Sequence, residues 1–484
     1  MTQRRPNILL ITTDQQRGDH LGIAGHPFLQ TPNLDFLARS GAYFPRAYSE
    51  CPSCVAARRT LLSGMSPVTQ GMVGYKDYEP WNPPHTIAGM LSDAGYQSEL
   101  IGKLHLFPYR KRYGFERLRW ADATHPWGDV TNDYLDWLRS SGAVPLEAFG
   151  LNAGMAHGVS ANSWVGRPNF LPEHLTHSFW CASQAIDFVH RRDPESPFFM
   201  YLSFIDPHPP LTPPQAHYDR YVDLPLPAPV IGDWAPKFDG PQKGLDPNAS
   251  IMCLDERAMR YCRAAYCGMI NHVDDQIGRV LDVLSRRGLL SDTFVLFTSD
   301  HGEMLGDHNL FRKCLAYEGS ARVPMLAKAP PWMEPVSGVR SSFAVGLQDV
   351  APTLLDVAGI TPPSTMTGRS LLPLMRGKSV NWRDALHGEH SPCYGGGGSE
   401  GMQFLTDGTH KYIWHTKTGR EQLFNLNDDP DELHDLARVP GTESALLKWR
   451  QRMIQQLNDR PEGFTDGQRL IPSRPHTAMV PARV

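Results

Sequence analysis

A cysteine and an arginine four residues apart, Cys54 and Arg58, form the segment of this sequence with the clearest chemical potential. No helix-breaking residue occurs from Val55 to Ser63, and Gly64 follows, so the sequence predicts a short helix with Cys54 in its first turn. The amides of a first helical turn favour an anion and acidify a thiol. Because residues four apart share a helical face, the sulfur and the guanidinium would point to one spot, where a tetrahedral oxyanion fits.

Two other interpretations of Cys54 stay open at this stage. Cys51 and Cys54 have the Cys-x-x-Cys spacing of a thioredoxin-like redox pair. Alternatively, Cys54 is an ordinary buried cysteine, since free cysteine is among the most buried residue types. A zinc site is disfavoured, because the sequence has no second Cys-x-x-Cys to complete it.

Polar residues suited to binding a cation follow three apolar runs of the kind found in buried parallel strands. The runs are 8–13, 197–204 and 293–297, and the residues after them are Asp14 with Gln15, His208, and Asp300 with His301. In an open α/β sheet the carboxyl ends of parallel strands gather at one edge. Carboxylates and an amide oxygen suit a hard divalent cation, while the imidazole of His301 shifts the preference toward manganese or zinc.

Basic residues are expected to surround this cation. Lys103, His105 and Lys313, together with Arg58, would give the site a positive charge, which calls for an anionic ligand such as sulfate or phosphate. Singly, each residue has an ordinary interpretation, since a lysine is usually solvated and His208 between prolines fits a structural loop. The hypothesis of a common site depends on the candidates recurring directly after apolar strands.

The composition indicates a large globular protein and excludes several classes. The chain has 484 residues, 41% of them hydrophobic, and a net charge of −4, so neither a nucleic-acid binder nor a membrane-surface binder is indicated. The first apolar run, 8–11, is too short for a signal peptide, and no stretch is long enough to span a membrane. Eight scattered cysteines without a framework spacing predict a reduced, cytoplasmic protein.

The elements that must position these residues alternate between strands and helices. Besides the runs above, strands are predicted at 97–101 and 323–327, and helices at 31–39, 55–63, 86–94, 179–191 and 255–287. This order predicts an α/β catalytic domain over residues 1–377, with a large, mostly parallel sheet covered by helices on both faces. The stretches 106–175 and 209–250 are predicted to be largely irregular and to recognise the substrate.

After Gly377 the sequence pattern changes. A hairpin signal at Asp407-Gly408, a strand at 423–426 and a helix at 443–458 predict a small C-terminal α+β domain with an antiparallel sheet over 378–460. Residues 461–484 are polar and contain prolines. We expect a tail that is disordered or wraps a neighbouring subunit, which is compatible with a homo-oligomer.

Taken together, these motifs resemble the sulfatase family of the alkaline-phosphatase superfamily. The family signature Cys-x-Pro-Ser-Arg, with its trailing Leu-x-Thr-Gly, aligns with the run from Cys54 to Gly64. The other matching blocks occur in order over residues 6 to 437 and are 31–35, 102–105, 207–208, 298–303, 313–319, 349–353 and 423–432. The resemblance implies an alkaline-phosphatase-like fold and hydrolysis of a sulfate monoester to alcohol and sulfate. It displaces the redox interpretation of Cys51 and Cys54.

The resemblance also implies a role for each candidate residue. A sulfatase-maturating enzyme would oxidise Cys54 to formylglycine, whose hydrate, a geminal diol, is the nucleophile and forms a covalent sulfo-enzyme intermediate. A divalent cation, Ca²⁺ or Mn²⁺, would be held by Asp14, Gln15, the residue derived from Cys54, Asp300 and His301. Arg58 would stabilise the diol, and Lys103 and Lys313 would bind the sulfate oxygens. His208 would protonate the leaving group, and His105 would remove a proton from the diol. Such a covalent step divides one difficult displacement into two easier ones.

Two departures from the family pattern bear on these expectations. Ala56 stands where the signature has proline. The aerobic formylglycine-generating enzyme favours proline there, whereas the anaerobic radical maturases tolerate alanine, so modification is expected to depend on the host. Gln15 stands where many sulfatases have a second aspartate, and His301 stands where some have asparagine. The pairs Asp14-Gln15 and Asp300-His301 together resemble the branch that includes phosphonate monoester hydrolases. A phosphonate monoester or phosphodiester hydrolase is therefore the alternative, and a catalytically silent, anion-binding relative is a third hypothesis.

Overall fold

The computed structural model describes residues 4–122, 132–142, 162–243, 245–246, 248–378, 380–394 and 400–483. Its strands are β1 (Asn7–Thr13), β2 (Ala42–Tyr43), β3 (Ala47–Tyr48), β4 (Gln97–Gly102), β5 (Arg117–Trp120), β6 (Phe198–Ser203), β7 (Thr293–Ser299), β8 (Arg322–Val323), β9 (Met325–Lys328), β10 (Val339–Arg340), β11 (Val345–Gly346), β12 (Leu386–His390), β13 (Met402–Thr406), β14 (His410–His415) and β15 (Glu421–Asn425). Its α-helices are α1 (Pro32–Ser40), α2 (Cys54–Ser63), α3 (Pro67–Gln70), α4 (Ile87–Asp93), α5 (Asp133–Ser140), α6 (His177–Arg191), α7 (Gln215–Val222), α8 (Glu256–Arg286), α9 (Glu318–Ala321), α10 (Val350–Val357), α11 (Leu372–Met375) and α12 (Glu443–Gln456).

Eight strands form the central sheet, in the order β10-β2-β9-β7-β1-β6-β4-β5. The run from β7 to β5 is parallel throughout, with β1 in its interior between β7 and β6. β9 is antiparallel to both of its neighbours, β7 and β2. The predicted α/β class with a mostly parallel sheet is therefore confirmed, with one antiparallel strand toward its edge.

The central parallel strands β1, β6 and β7 are largely apolar and buried along their whole length, because each buries side chains on both faces of the sheet. Leu10 and Leu296 lie in one hydrophobic core, which α2, α4 and α10 also line. Leu9 and Val295 lie in a second core on the other face, against α1, α6 and α8. The two cores fix β1 and β7 between helical layers, so their carboxyl ends are held rigidly.

A separate antiparallel sheet of β12, β13, β14 and β15 carries α12 on one face. The hairpin between β13 and β14 turns at Asp407-Gly408, and Gly408 has a φ of +89°, which only glycine adopts easily. Trp414 of the sheet and Trp449 of the helix share a small core. The predicted C-terminal α+β domain is confirmed in its architecture.

The C-terminal tail, predicted to be disordered or to wrap a neighbouring subunit, instead lies along its own chain. The amide of Val73 donates a hydrogen bond to the carbonyl of Ala478 at 2.8 Å. Met479 and Met72 form an antiparallel bridge next to it. The tail therefore returns to the segment that follows α2 and α3.

Three regular elements occur in stretches that the sequence predicts to be largely irregular, and one of them is the short helix α5 within 106–175. β5 forms one edge of the central sheet within 106–175, and α7 interrupts the proline-rich stretch 209–250. The rest of the first prediction falls partly on residues 123–131 and 143–161, which lie outside the described residues. Within the described residues, none of the helices combines the length and hydropathy of a membrane span.

Candidate active site

Four side chains predicted from separate parts of the sequence meet at the carboxyl edge of the central sheet. Asp14 directly follows β1, Asp300 and His301 follow β7, and Cys54 begins α2. One potential ligand atom of each lies within 4.8 Å of the others, and all four residues are buried. The structure thus brings these four candidate residues into one cluster.

The chemistry of this cluster fits a divalent cation. His301 Nδ1 lies 2.9 Å from the carbonyl oxygen of Gly302. This contact assigns the ring proton to Nδ1 and leaves the Nε2 lone pair directed at the cluster. Nε2 is 3.6 Å from Asp14 Oδ1 and 3.6 Å from Asp300 Oδ1. Two buried carboxylates and one imidazole that face each other form a set of ligands that suits a divalent metal.

Gln15 lies beside this cluster in a left-handed conformation, with a φ of +70°. Its amide oxygen accepts a hydrogen bond from Lys313 Nζ at 2.7 Å, and its amide nitrogen donates to Glu303 Oε2. Its backbone oxygen accepts a hydrogen bond from the Tyr266 hydroxyl at 2.6 Å. These contacts fix which way the amide points. Glu303 has no role in the sequence-based predictions, although it belongs to the block that contains Asp300.

Arg58 is predicted to stabilise an anion, but the structure places it behind the two carboxylates. Its Nε donates to Asp300 Oδ2 at 3.0 Å and its Nη2 to Asp14 Oδ2 at 3.4 Å. Its Nη1 donates to Ser203 Oγ and to the carbonyl of Lys103, both at 3.0 Å. Because every guanidinium nitrogen has a protein acceptor, Arg58 holds the carboxylates in position and balances their charge.

Two lysines supply the positive charge on the open side of the cluster. Lys103 Nζ is 2.5 Å from Asp14 Oδ2, and Lys313 Nζ is 3.2 Å from Cys54 Sγ. Burial alone would raise the pKa of the Cys54 thiol, but Lys313 and Lys103 outweigh it and hold that pKa well below its usual value. An anion or an electron-rich group at position 54 is therefore strongly favoured.

His208 faces the same point from the loop after β6. Its Nδ1 lies 2.7 Å from the carbonyl of Pro209, so Nδ1 carries the proton, and its Nε2 lies 3.1 Å from Lys313 Nζ. Burial and the charge of Lys313 lower the pKa of His208 to about 4. The imidazole is therefore neutral, with Nε2 accepting a hydrogen bond.

Comparison with known proteins identifies the family. A family model described as Sulfatase matches residues 6–360, about three quarters of the chain. An arylsulfatase from Clostridium perfringens is 40% identical over 98% of this chain and 99% of its own length. The chain belongs to the sulfatase family. A second model, N-sulphoglucosamine sulphohydrolase, C-terminal, matches residues 306–459 of this sulfatase.

Two further relatives agree with this assignment. A choline-sulfatase from Rhizobium meliloti is 31% identical to this sulfatase over 91% of the chain and 84% of its own length. The phosphonate monoester hydrolase of Agrobacterium radiobacter has the same fold, with a TM-score of 0.78 over 97% of this chain and 100% of that chain, at 24% identity. The protein is thus a sulfuric ester hydrolase with the alkaline-phosphatase-superfamily fold, as the sequence motifs predict.

The redox interpretation of Cys51 and Cys54 has no support in the geometry of this sulfatase. All eight cysteines are free thiols. Cys51 Sγ lies 4.0 Å from Ser53 Oγ, whereas Cys54 Sγ lies 3.2 Å from His301 Nε2. The two sulfur atoms therefore face different surroundings, and only Cys54 belongs to the cluster.

His105 lies near the cluster in a conformation that its loop imposes. Its φ is +53°, and its backbone amide and that of Leu104 donate to Asp122 Oδ1 at 2.9 and 2.6 Å. Its Nε2 is 3.5 Å from Asp77 Oδ1, and the Tyr75 hydroxyl donates to Asp77 Oδ2 at 2.5 Å. The sequence offers no signal for either carboxylate, since Asp77 lies in a loop and Asp122 follows β5, a strand that no apolar run marks.

The charge environment of His105 favours its protonated form. Burial and the charge of Lys103 oppose protonation, but Asp77 and Cys54 outweigh them and raise the pKa of His105 to about 9. The imidazole of His105 is thus tied to an acidic partner, whereas that of His208 is not. The two histidines therefore differ in protonation, since His105 favours the charged imidazolium and His208 the neutral imidazole.

Proposed function

We propose that this sulfatase hydrolyses a sulfate monoester through a nucleophile that derives from Cys54. In this proposal a maturating enzyme oxidises the Cys54 side chain to the aldehyde formylglycine, and water adds to give a geminal diol. The observation that carries the proposal is the position of Cys54 Sγ, 3.2 Å from both His301 Nε2 and Lys313 Nζ and 3.7 Å from Asp14 Oδ1. An oxygen atom at this place would lie among groups that favour negative charge and would be a strong nucleophile.

The donor set supports a divalent cation as the cofactor. Asp14, Asp300 and His301 would hold a Ca²⁺ or Mn²⁺ ion, with the Gln15 amide oxygen beside them. When bound, the ion would supply positive charge that acidifies a hydroxyl at position 54. Arg58 holds Asp14 and Asp300 in place by the hydrogen bonds described above, and its positive charge favours the ionised form of both carboxylates.

In the first step, one hydroxyl of the diol loses its proton and attacks the sulfur of the ester. A new bond forms between oxygen and sulfur, while the bond from sulfur to the alcohol oxygen breaks. Lys103 and Lys313 bind the sulfate oxygens and neutralise their charge. His208 Nε2, which is unprotonated in the resting site, accepts the proton that the diol loses and then delivers it to the departing alcohol oxygen. The Nδ1–H contact to Pro209 fixes the ring for this transfer.

In the second step, the unprotonated form of His105, a strong base because its pKa is raised, takes the proton from the remaining hydroxyl of the sulfated residue. The carbon–oxygen bond to sulfate then breaks, so that sulfate leaves and the aldehyde is restored. Asp77, 3.5 Å from His105 Nε2, stabilises the imidazolium that results. Water adds to the aldehyde and completes the cycle.

A mass spectrum of the peptide that contains Cys54, from protein made in its own host, tests the proposal. We expect the mass of an aldehyde in place of a thiol, and we expect Cys54→Ala protein to have no turnover of an aryl sulfate. An unmodified thiol in a preparation that is fully active would contradict the proposed nucleophile. A Ser53→Ala variant is the matched control, since it keeps residue 54 and should retain activity.

A phosphonate monoester or phosphodiester hydrolase is the second candidate. It is favoured by the pairs Asp14-Gln15 and Asp300-His301, which resemble that branch, and the residues around them can equally bind a phosphorus centre. Turnover of an aryl sulfate and of an aryl phosphonate with the same leaving group should be compared on one preparation. We expect the sulfate to be preferred, and a preference for the phosphonate by orders of magnitude would make the second candidate the correct one.

A further inference from the structure

A cavity with a volume of about 40 Å³ adjoins the active site on one side of His208 and opens toward solvent. Its other walls come from α5, from residues 169–177, from the loop after β6 and from α8. His208 Nε2 contacts Lys313 at 3.1 Å, so this histidine separates the cavity from the basic groups that would bind sulfate. The alcohol part of a bound ester would therefore extend past His208 into the cavity.

Asp206 lines this cavity and brings a negative charge to it. Among the described residues, only Ser178 donates a hydrogen bond to it, from Oγ to Asp206 Oδ2 at 2.6 Å. No lysine, arginine or histidine of the described chain forms an ion pair with it. Burial raises the pKa of Asp206 to about 6, so the group is mostly ionised at neutral pH. A carboxylate in a cavity without a counter-charge is costly unless a ligand provides one.

His272, on α8, lines the same cavity and is an unused hydrogen-bonding group. Its side chain is 0% exposed, and neither ring nitrogen has a hydrogen-bond partner among the residues that the structure describes. The nearest acidic oxygen, Glu173 Oε1, is 3.7 Å from Nε2, beyond hydrogen-bond distance. Burial lowers the pKa of His272 well below its usual value, so it is neutral and offers a lone pair. A buried polar group left unsatisfied in this way is destabilising, and a ligand donor would satisfy it.

We propose that the cavity is a leaving-group subsite for an ammonium group carried by the alcohol part of the substrate. The N–H groups of such a cation would donate to the Asp206 carboxylate and to the His272 lone pair. The face of Tyr134, also in the cavity wall, would add a favourable contact with the cation. With Lys103 and Lys313 on the other side of His208, the site is complementary to a substrate that is negative at one end and positive at the other. This inference rests on the proposed hydrolase function.

Two esters of nearly equal shape test the proposal, namely para-(aminomethyl)phenyl sulfate, which is cationic, and para-ethylphenyl sulfate, which is neutral. We expect kcat/KM of the wild-type enzyme to favour the cationic ester by about 10- to 100-fold, the range of one charge-assisted hydrogen bond in a partly buried site. Asp206→Asn keeps an oxygen that can accept from Ser178 and should lower this preference to about threefold or less. Asp219→Asn removes an exposed carboxylate of α7 outside the cavity and should leave the preference unchanged.

Several outcomes would overturn the proposal. Equal or better turnover of the neutral ester by the wild type would mean that the cavity receives an uncharged group. An undiminished preference in Asp206→Asn would mean that another group recognises the cation. Calorimetric binding of the two esters to the Cys54→Ala protein separates the subsite from the chemistry. If the cationic ester binds preferentially but the wild type does not turn it over, the subsite is supported and the hydrolase mechanism is refuted. If both esters are turned over without any preference, the hydrolase mechanism is supported and the subsite is refuted.

Discussion

Lys411 links the C-terminal sheet to the catalytic domain through two buried carboxylates. The lysine side chain is 0% exposed, and its Nζ lies 2.6 Å from Glu318 Oε1 and 3.0 Å from Glu432 Oε1. Glu318 also pairs with Arg322 at 3.0 Å, whereas Glu432 has no second cation among its described contacts. Replacing Lys411 by methionine would therefore leave Glu432 as the uncompensated charge.

The expected cost of Lys411→Met follows from these contacts. Breaking a buried ion pair costs about 3–5 kcal/mol when the remaining charge cannot be neutralised. Burial already raises the pKa of Glu432 to about 7, so this group can take up a proton in the variant. We therefore expect a loss of about 2–3 kcal/mol in the free energy of unfolding at pH 6, mainly from the lost charge-assisted hydrogen bonds.

The same reasoning gives the direction of the pH dependence. Without Lys411, the folded-state pKa of Glu432 rises further above its unfolded value. A carboxyl group with a raised folded pKa loses stability as the pH increases toward that pKa, by at most about 1.4 kcal/mol per pH unit for one proton. The penalty of the variant relative to wild type should therefore grow by about 1 kcal/mol between pH 6 and pH 8.

The penalty of Lys411→Met and its pH dependence can be measured by urea unfolding at pH 6, 7 and 8. The proteins to compare are the wild type, Lys411→Met and the double variant Lys411→Met/Glu432→Gln. The double variant has no carboxyl group at position 432, so its own stability should not carry this pH dependence. Its penalty relative to wild type, in which Glu432 has a pKa of about 7, should therefore shrink between pH 6 and pH 8 instead of growing. A penalty for Lys411→Met below about 1 kcal/mol, or one that does not grow with pH, would refute the assignment of a buried charge to this contact.

Three further outcomes are expected. His105→Ala should give, in a stopped-flow experiment, a burst of one alcohol molecule per active site followed by a steady rate that is reduced about 100-fold or more. Equal slowing of the burst and of the steady rate would contradict the proposed role of His105 in releasing sulfate. Glu303→Gln should change the orientation of the Gln15 amide and weaken the affinity for added Ca²⁺ or Mn²⁺ by about 10- to 100-fold in a calorimetric titration. An unchanged affinity would mean that the contact between Gln15 and Glu303 does not support metal binding. Arg460 donates hydrogen bonds to both carboxylate oxygens of Glu389, at 2.8 and 2.7 Å. Burial opposes the ionisation of Glu389, but the charge of Arg460 outweighs it and lowers the pKa of Glu389. Arg460→Met should therefore lower stability near neutral pH. The loss should shrink as the pH falls below 4.5, through the lowered pKa of folded Glu389, and a loss that stays constant in thermal unfolding between pH 3 and pH 7 would contradict this role of Arg460.

The sequence predicts the central strands of the fold well because their burial leaves a continuous apolar run. Residues 8–13 and 293–297 are examples, and both extend to the residues that precede the site. β5 is missed because it is a short edge strand whose Arg117 is exposed, so no apolar run marks it. α7 is missed because it follows Pro214 in a proline-rich stretch and is largely polar, although its Tyr221 is buried.

The candidate site could be predicted where a residue follows a strand, because strand ends converge in any parallel sheet. Asp14 and Asp300 are examples. The sequence could not predict that Arg58 lies behind the carboxylates, since helical spacing gives the face of a side chain but not its partners. Glu303 and Asp77 orient Gln15 and His105 through contacts that depend on how distant loops pack, and periodicity carries no information about them.

The path of the C-terminal tail sets a time limit on any chemistry that must reach position 54. Cys54 is 1% exposed in the folded chain, so an enzyme that modifies it needs the chain before this region closes. The tail closes over the segment after α2, and Ala478 pairs there with Val73. At about 5–20 residues per second, the ribosome makes Ala478 roughly 20 to 80 s after Cys54. If Cys54 is modified as we propose, slower synthesis of the later part of the chain would lengthen the time in which the modifying enzyme can reach it and give a more active population from the same gene.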